Sequence, residues 1–499
     1  MHSRLEPSHR AAARRLLTAS LALLLSTGCG RDLQRLKVVL ANGEGPAPGA
    51  MASGKRAYRE LAEVYQDLDR VQGEASVALH PSFAAGLHPG AFARIAHVTD
   101  VQVREERAIL MGGTETDLLE SVSQAYTPIE GTRRDALMEV DSAYVWLATA
   151  LTLNAIHQQY PFDLAVHTGD AADVGLKSEL RQFLHVAHKL DMPFLNAIGN
   201  HDVLAFGLWN GASPFAGVYL NSVDFSLELA PTFAANRDGL MQDRATHLGV
   251  VNDAVAEAGA HEPTRKAFGS ERLGYDLSPD PGDAYYTALL RAPANGLPGL
   301  QVVVLRTSAD LGGADGEMSA AQLAWLNDTL DAASTRANLV VVAAHHPLME
   351  VKREGSGLGA VGQVVVSPPM QKLRDLLVHY PNVIAYLCGH THLPEVVELK
   401  DDSGALQLVQ IDSGALLTYP QEGAVVELLL DPAANQLTVD AQKVGAMIAG
   451  GSELATRVEE AVASSARDDR SRPAYPDWRT YSGTRPLPSF PVSTPKFEL

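Results

Sequence analysis

The chain of 499 residues has only two cysteines, Cys29 and Cys388, and it is poor in basic residues. Lys and Arg together number 40 against 59 Asp and Glu, which gives a formal net charge of -19. Because a phosphate backbone is bound through an excess of Lys and Arg, this balance argues against nucleic acid as the main partner. Small anionic substrates remain compatible with it, since a cleft can carry the opposite charge locally.

Long apolar runs are also absent, apart from a short one near the N-terminus. Residues 16–25 follow a start with four arginines, and this run is too short for a membrane helix, so residues 1–28 are predicted to be an export signal. Ser26-Thr27-Gly28-Cys29 comes next and resembles the bacterial lipobox, whose cysteine is lipidated and becomes the first residue of the mature protein. The alternative is a plain cleaved signal. We expect an exported lipoprotein at the outer membrane or the periplasmic face.

Lipidation of Cys29 would leave Cys388 alone and exclude an intramolecular disulfide, so stability would come from core packing, from metal, or from both. Residues 29–60 are predicted to be a tether, and residues 61–463 a single domain with its core at 92–430. Residues 464–499 contain six prolines and are predicted to be a disordered tail, or one extended over the surface.

Short runs rich in Val, Ile and Leu alternate with amphipathic segments along this domain. The predicted strands are 94–99, 164–168, 194–198, 301–305, 339–344, 383–388, 406–411 and 425–430. The predicted helices are 136–159, 178–190, 319–333 and 370–380. The alternation predicts an α/β fold with a mainly parallel sheet and right-handed crossovers. In such a sheet, ligands bind beyond the carboxyl ends of the strands.

Five predicted strands end in motifs of Asp, Gln, Asn and His, and none of these motifs sets a serine or cysteine as a nucleophile. The motifs are Asp100-Val101-Gln102, Gly169-Asp170-Ala171-Ala172-Asp173, Gly199-Asn200-His201-Asp202, His345-His346-Pro347 and Gly389-His390-Thr391-His392. Residues two apart on an extended segment point to the same side, so each pair at 100/102 and 390/392 can share a pocket. Carboxylate, amide and imidazole groups that converge in this way indicate a metal site. A carboxylate shared by two cations about 3.5–4 Å apart is the two-metal arrangement for phosphoryl displacement.

In this order, the five motifs resemble those of the calcineurin-like metallophosphoesterase superfamily over about residues 92–430. The resemblance implies a four-layer α/β/β/α sandwich with inserted cap segments. It also implies metal-dependent hydrolysis of a phosphate ester or phosphoanhydride by a hydroxide that bridges two divalent metal ions. Monoester, diester and pyrophosphate substrates all remain open. The alternative from another class is a catalytically silent surface lipoprotein that uses its metal site as a binding scaffold.

The resemblance also implies roles for single residues. The first metal ion would be held by Asp100, Gln102, Asp170 and His392, and the second by Asp170, Asn200, His345 and His390, with Asp170 bridging. His201 would not bind metal. It would face the substrate, stabilise the phosphate and protonate the leaving oxygen. We expect His346 to support the ligands rather than to be one of them.

Gln102 departs from the pattern, because the family usually has histidine there. A carbonyl oxygen is a harder ligand than an imidazole nitrogen, which favours Mn²⁺ or Mg²⁺ over Zn²⁺ at the first position. We therefore expect manganese, with iron and zinc as alternatives. An Asp-x-Gln motif also resembles that of manganese-dependent pyrophosphatases acting on nucleoside-diphosphate-linked compounds. We expect a phosphorylated small-molecule or nucleotide-like substrate.

Two insertions, at about 104–135 and 203–298, are longer than usual loops and are expected to form a cap around the metal crevice. Five aromatic residues of the second insertion are either walls of the substrate pocket or packing inside the insertion. They are Trp209, Phe215, Tyr219, Tyr285 and Tyr286. Tyr419, just after the strand at 406–411, is a further residue expected near the site.

Overall fold

Two six-stranded β-sheets form the centre of the computed structural model of this protein. The structure describes residues 61–103, 141–173, 175–203, 241, 243–280, 282–308, 316–351, 364–366, 370–401, 403–469, 478–491 and 496–498. The predicted export signal, Cys29, the tether and the insertion at 104–135 lie outside these residues. So do Trp209, Phe215 and Tyr219.

The first sheet has the strand order β14-β13-β12-β1-β2-β3. Its strands are β1 (Ala93–Val98), β2 (Leu164–His167), β3 (Phe194–Asn196), β12 (Glu422–Asp431), β13 (Gln436–Gly445) and β14 (Thr480–Pro486). The strands β1, β2 and β3 are parallel, whereas β12, β13 and β14 continue the sheet in antiparallel fashion.

The second sheet has the strand order β10-β11-β9-β6-β5-β4. Its strands are β4 (Tyr286–Arg291), β5 (Gly299–Val304), β6 (Asn338–Ala343), β9 (Val383–Cys388), β10 (Pro394–Lys400) and β11 (Leu406–Ser413). The four central strands are parallel, and the two edge strands β4 and β10 are antiparallel. A separate ribbon pairs β7 (Met349–Val351) with β8 (Val364–Val366).

The α-helices cover the outer faces of the two sheets. They are α1 (Leu61–Glu74), α2 (Pro81–Ala85), α3 (Ser142–Gln159), α4 (Lys177–Ala187), α5 (Arg244–Ala258), α6 (Glu262–Phe268), α7 (Ala320–Thr335), α8 (Gln371–His379) and α9 (Glu453–Asp469). Ser319 caps α7, because its side chain accepts a hydrogen bond from the Gln322 backbone amide at 3.1 Å.

Two apolar cores hold the layers together. The larger core joins the facing sides of both sheets to helices such as α3 and α4. The smaller core lies between the other face of the second sheet and the helices α7 and α8. The order helices, sheet, sheet, helices confirms the four-layer α/β/β/α architecture that the motif resemblance implies.

The expectation of one mainly parallel sheet is wrong, because both sheets are mixed. Only the four residues 432–435 join β12 to β13, and so short a connection permits an antiparallel pair but no parallel crossover. All eight predicted strands are present. The strands that sequence reasoning missed include β4, β10 and β13, whose residues are only partly buried and carry a weaker apolar signal.

The prediction of a disordered C-terminal tail is wrong for residues 480–486, which form β14 and pair with β13. The buried Arg485 of this strand donates a hydrogen bond to the Pro381 carbonyl at 2.7 Å and also bonds the Gln407 carbonyl. Both acceptors belong to the part of the chain that builds the second sheet. The tail therefore connects the two sheets, as the alternative of an extended segment over the surface allowed.

The second insertion is not a cap over its whole length. Its described part supplies α5, α6 and the edge strand β4, and α5 packs against α4. Tyr286 is fully buried and donates a hydrogen bond to the Asn196 carbonyl at 2.8 Å, while the Tyr285 ring lies 4.8 Å from that of Trp325. Tyr286 is thus a core residue. Among the described residues, no helix is both long and apolar enough to cross a membrane.

Candidate metal centre

The carboxyl ends of the parallel strands of both sheets meet at one edge of the sandwich. The loops after β1 and β2 run side by side there, because the Asp100 and Gln102 amides donate to the carbonyls of Gly169 and Asp170 at 3.0 and 2.9 Å. In the second sheet, the Gly389 amide donates to the His345 carbonyl at 3.0 Å. Hydrogen bonding between neighbouring strands therefore continues beyond their ends and holds the motif residues together.

Five motif residues have a left-handed backbone: φ is +48° at Asp100, +43° at Gln102, +61° at Asp170, +72° at His390 and +57° at His392. This conformation is uncommon for residues other than glycine and costs about 1–3 kcal/mol at each position. Such strain persists only where the surrounding structure enforces it, and it concentrates at functional sites. Here it marks the same residues that the motifs single out.

Two glycines allow the loops to approach this closely. A Cβ atom at Gly199 would overlap the amide nitrogen and Oδ1 of Asp170, and one at Gly389 would overlap Thr99 Oγ1 and Asp100 Oδ2. Only glycine leaves room for the neighbouring carboxylates at these two positions.

The first cluster consists of Asp100, Gln102, Asp170 and His392. One ligand atom from each of the two carboxylates and from His392 lies within 4.8 Å of the others. Asp100 Oδ1 is 3.2 Å from His392 Nε2, and the Gln102 amide nitrogen is 3.2 Å from Asp170 Oδ2 and 3.3 Å from His392 Nε2. The oxygen and nitrogen of an amide are distinguished only by their hydrogen bonds, and the oxygen is the atom that can bind a cation.

The second cluster consists of Asn200, His345, His346 and His390. His345 Nε2 lies 2.9 Å from Asn200 Oδ1 and 3.3 Å from His390 Nδ1, and the Asn200 oxygen lies 3.1 Å from His390 Nδ1. Three potential ligand atoms, one from each histidine, lie within 4.8 Å of one another. His346 was not expected to take part in such a group.

Asp170 stands between the two clusters. Its Oδ2 atom is 3.2 Å from the side-chain amide nitrogen of Gln102 in the first cluster and 3.3 Å from His345 Nε2 in the second cluster. Its Oδ1 atom accepts a hydrogen bond from the His201 amide at 2.9 Å. Asp170 is therefore the one motif carboxylate among the described residues that faces both clusters.

Charge and burial act against each other in the two clusters. Burial raises the pKa of Asp100 and of Asp170, but the neighbouring histidines outweigh it and hold both pKa values below the ordinary range. Burial likewise opposes protonation of His345, yet Asp170 and Asp100 raise the pKa of His345 to about 9. Burial and the neighbouring His345 lower the pKa of His390 to about 3. The carboxylates are thus ionised, and they attract positive charge to a buried place.

Buried acids support the loops from behind. Asp202 accepts hydrogen bonds from the amides of Asp170, Ala172 and Gly199 at 3.0, 3.0 and 2.8 Å. Burial and the charge of Asp170 raise the pKa of Asp202 to about 7. Asp202 therefore holds the backbone of the two loops that carry Asp170 and Asn200.

Sequence reasoning missed Asp412, which ends β11 and is buried. Its Oδ2 atom accepts a hydrogen bond from Thr391 Oγ1, and its Oδ1 atom accepts one from the Gly414 amide, both at 2.8 Å. Burial and the charge of Asp100 raise the pKa of Asp412 well above its ordinary value. Thr391 separates His390 from His392, so Asp412 holds the loop that carries both. Its place at a strand end was the signal that could have found it.

His201 lies beside the clusters. Its Nδ1 atom is 2.5 Å from the Asp173 carbonyl, so Nδ1–H donates there and Nε2 is left as the other ring nitrogen. Its side chain is 19% exposed, unlike the fully buried His345. His97 and His167 are buried core histidines, which contact Thr168 Oγ1 at 3.0 Å and Asn196 Oδ1 at 2.6 Å, respectively. Cys388 is buried.

The donor set fits divalent cations. Asp100 Oδ1 is buried and faces His392 Nε2 at 3.2 Å, so an ionised oxygen and an imidazole nitrogen, both of which can bind a cation, lie next to each other. His345 Nδ1–H donates to the Thr168 carbonyl at 3.0 Å, which directs Nε2 into the centre in the manner of metal-binding histidines. Two groups of ligating side chains that share Asp170 suit a dinuclear metal site.

The match to a known protein family agrees with this chemistry. The sequence model of the family described as calcineurin-like phosphoesterase matches residues 93–394, which is more than half of the chain. No curated protein matches the sequence. Among solved structures, a dimetal phosphatase from Danio rerio is 13% identical, covers 72% of this chain and 99% of its own, and has a TM-score of 0.40. A phosphopantetheinyl hydrolase from Mycobacterium tuberculosis is 13% identical, covers 65% of this chain and 90% of its own, and has a TM-score of 0.27.

Proposed function

The chain belongs to the calcineurin-like phosphoesterase family, and we propose that it hydrolyses a phosphate ester or phosphoanhydride at a centre of two divalent metal ions. Family membership and the His/Asp clusters support a metal-dependent phosphoester hydrolase. The observation that carries the finer proposal is the position of Asp170 between two groups of ligating side chains. The proposed substrate is a phosphorylated small molecule or a nucleotide-like compound.

Each cluster would hold one ion. We assign the first ion to Asp100, Gln102, Asp170 and His392, and the second to Asp170, Asn200, His345 and His390. Bound there, such a pair of ions would supply Lewis acidity and would activate water as the nucleophile at neutral pH. The residues themselves contribute the geometry: Asp170 sets the spacing of the two positions, and the strained loop at 390–392 directs one imidazole to each.

His201 is proposed to act on the substrate rather than on the metals. The Asp173 carbonyl holds its Nδ1–H and fixes the ring. In the imidazolium form, which carries a second proton on Nε2, that Nε2–H would contact a phosphate oxygen or pass its proton to the leaving oxygen. The partial exposure of the ring supports this role, because a side chain that contacts the substrate must be accessible from the solvent.

Gln102 supports manganese at the first position. Its amide oxygen, together with the Asp100 and Asp170 carboxylates, makes that cluster rich in oxygen, and oxygen ligands favour Mn²⁺ over Zn²⁺. Iron and zinc remain the alternatives for the pair.

The test uses protein beginning after Cys29, stripped of metal and reloaded separately with Mn²⁺, Fe²⁺, Zn²⁺ or Mg²⁺. Hydrolysis of an aryl phosphate monoester, the matching diester and a nucleoside diphosphate sugar is then compared. Turnover that requires metal, is highest with Mn²⁺ and is lost in Asn200→Ala supports the proposal. His88→Gln is the matched control, since His88 is 48% exposed and pairs with Asp440 away from the clusters. Absence of turnover with every metal would instead favour the silent binding scaffold.

We also propose that the enzyme is exported and anchored by a lipid on Cys29. The four arginines, the apolar run and the Cys29 motif support this, and they lie outside the described residues. Cys29→Ala should abolish incorporation of labelled fatty acid and move the protein from the membrane fraction to the soluble one. Equal labelling of the variant would contradict the anchor.

A further inference from the structure

His346 lies directly against the proposed ligands of the second metal ion. It follows His345 in the chain, is 2% exposed, and contributes a nitrogen within 4.8 Å of ligand atoms of His345 and His390. Its ring centroid is 4.4 Å from that of His390 and 4.9 Å from that of His345. One nitrogen from each of three imidazoles therefore lies within 4.8 Å of the others, whereas the ligand assignment above uses two of these imidazoles.

Thr307 orients the His346 ring in the way that metal-binding histidines are oriented. Its Oγ1 atom accepts a hydrogen bond from the His346 amide at 3.1 Å and lies 2.9 Å from His346 Nδ1. The hydroxyl can accept from Nδ1–H or donate to Nδ1; with the ring proton on Nδ1, the lone pair is on Nε2, the nitrogen that a metal ion uses. His345 has the equivalent arrangement with the Thr168 carbonyl at 3.0 Å. The two adjacent histidines are thus each held by an oxygen on their Nδ1 side.

We propose that His346 is a third imidazole donor to the second metal ion. The inference rests on the metal centre of the proposed function and adds a ligand to it. The second position then offers nitrogen from His345, His346 and His390 with oxygen from Asn200 and Asp170, while the first position offers mainly oxygen. Imidazole ligands suit Zn²⁺ and Co²⁺, so the second position should bind these ions more tightly than the first.

The competing interpretation is that the His346 ring only packs behind His390. His346→Phe separates the two, because phenylalanine keeps an aromatic ring in the same place and removes both nitrogens. The metal-free protein is titrated with Co²⁺ and with Zn²⁺ against a competing chelator, and the visible absorption of bound Co²⁺ is recorded. We expect the wild type to bind two ions, and the variant to bind one of them at least about ten-fold more weakly with an altered Co²⁺ spectrum.

His379→Phe is the matched control, since His379 lies on α8 with its ring against Tyr380 and Phe497. Thermal unfolding in chelator shows whether each variant is folded. If His346→Phe does not fold, Thr307→Val decides: the loss of its hydroxyl should weaken the same ion several-fold, while Thr307→Ser should restore binding.

Unchanged affinity and an unchanged Co²⁺ spectrum in His346→Phe, or in Thr307→Val where that variant decides, would overturn the inference. If the wild type nevertheless binds two ions and hydrolyses phosphoesters, the proposed function stands without it. A wild type that binds no second ion would overturn both.

Discussion

The two sheets bring different donor atoms to the same edge of the molecule. The loops after β1, β2 and β3 carry carboxylates and amides, namely Asp100, Gln102, Asp170 and Asn200, whereas the loops after β6 and β9 carry histidines. Neither set makes a metal centre by itself. The acids are buried beside each other and repel, and the imidazoles lack the negative charge that draws in a cation. The packing of the two sheets thus brings both sets of donor atoms together, and the two clusters differ in the hardness of these atoms.

Removing Asp170, the carboxylate that contacts both clusters, should have the largest effect on activity. We expect Asp170→Asn to lower kcat by about 10³-fold or more, because both ions lose a charged ligand at once. Metal content by elemental analysis and steady-state kinetics would measure it. His88→Gln, on the surface away from the clusters, should leave both unchanged. An Asp170→Asn variant with the kcat of the wild type would contradict the proposal that Asp170 binds both metal ions.

Displacing the loop that carries His390 and His392, without removing any proposed ligand, should have the next largest effect on activity. In Gly389→Ala, the new Cβ atom would overlap Thr99 Oγ1 and Asp100 Oδ2, so the histidine loop and the acid loop must move apart. Such a displacement costs about 10²-fold in kcat when reacting groups are misplaced by about 1 Å. Gly90→Ala is the control, since a Cβ atom there meets nothing within 4 Å. Equal activity of the two variants would contradict the close approach.

Weakening the support of the loop that carries His390 and His392 should have a moderate effect on metal affinity. Thr391→Val removes the hydroxyl that binds Asp412, and the loop carrying His390 and His392 loses its support from β11. We expect metal affinity to fall about 10- to 100-fold, as for other groups that orient ligands. Thr391→Ser keeps the hydroxyl and should restore most of the affinity in a chelator competition. If the Thr391→Val and Thr391→Ser variants bind metal equally well, Asp412 does not position this loop.

Replacing an oxygen donor of the first cluster by a nitrogen donor should have the smallest effect, which is a change in metal preference. Gln102→His exchanges an amide oxygen for an imidazole nitrogen and makes the first position more like the second. We expect activity with Zn²⁺ or Fe²⁺ to rise several-fold relative to activity with Mn²⁺. The ratio of rates in reloaded protein measures this, and an unchanged ratio would mean that Gln102 does not influence the choice of metal.

Much of the site was predictable because local patterns encode it. A buried strand followed by a polar motif selects a candidate ligand without any knowledge of its neighbours. This rule selected Asp100, Asp170, Asn200 and His390, which the structure brings together in the two clusters. It did not single out Asp412, because one acid at the end of a strand looks like ordinary loop polarity. Nor could it place His346 against His390, because that contact joins segments 44 positions apart (346 against 390).

The edges of the fold were less predictable for a related reason. β14 comes from a proline-rich segment with weak strand signals, and it is ordered because β13 offers it hydrogen-bond partners and Arg485 finds carbonyl acceptors in the neighbouring sheet. Tyr286 looked like a possible pocket wall, yet its hydroxyl is satisfied inside the core by the carbonyls of Asn196 and Leu273. Both outcomes depend on partners that are distant in sequence.

The sequence by itself determined the order of the strand-end motifs, the identity of their donor atoms and the family to which the chain belongs. Those properties are local, since they depend on apolar runs and on the residues directly after them. Only the tertiary structure decided that both sheets are mixed, that Asp170 faces both clusters and that one nitrogen from each of three histidines lies within 4.8 Å of the others. These follow from strand pairing and close packing between remote segments, where position depends on every neighbour at once.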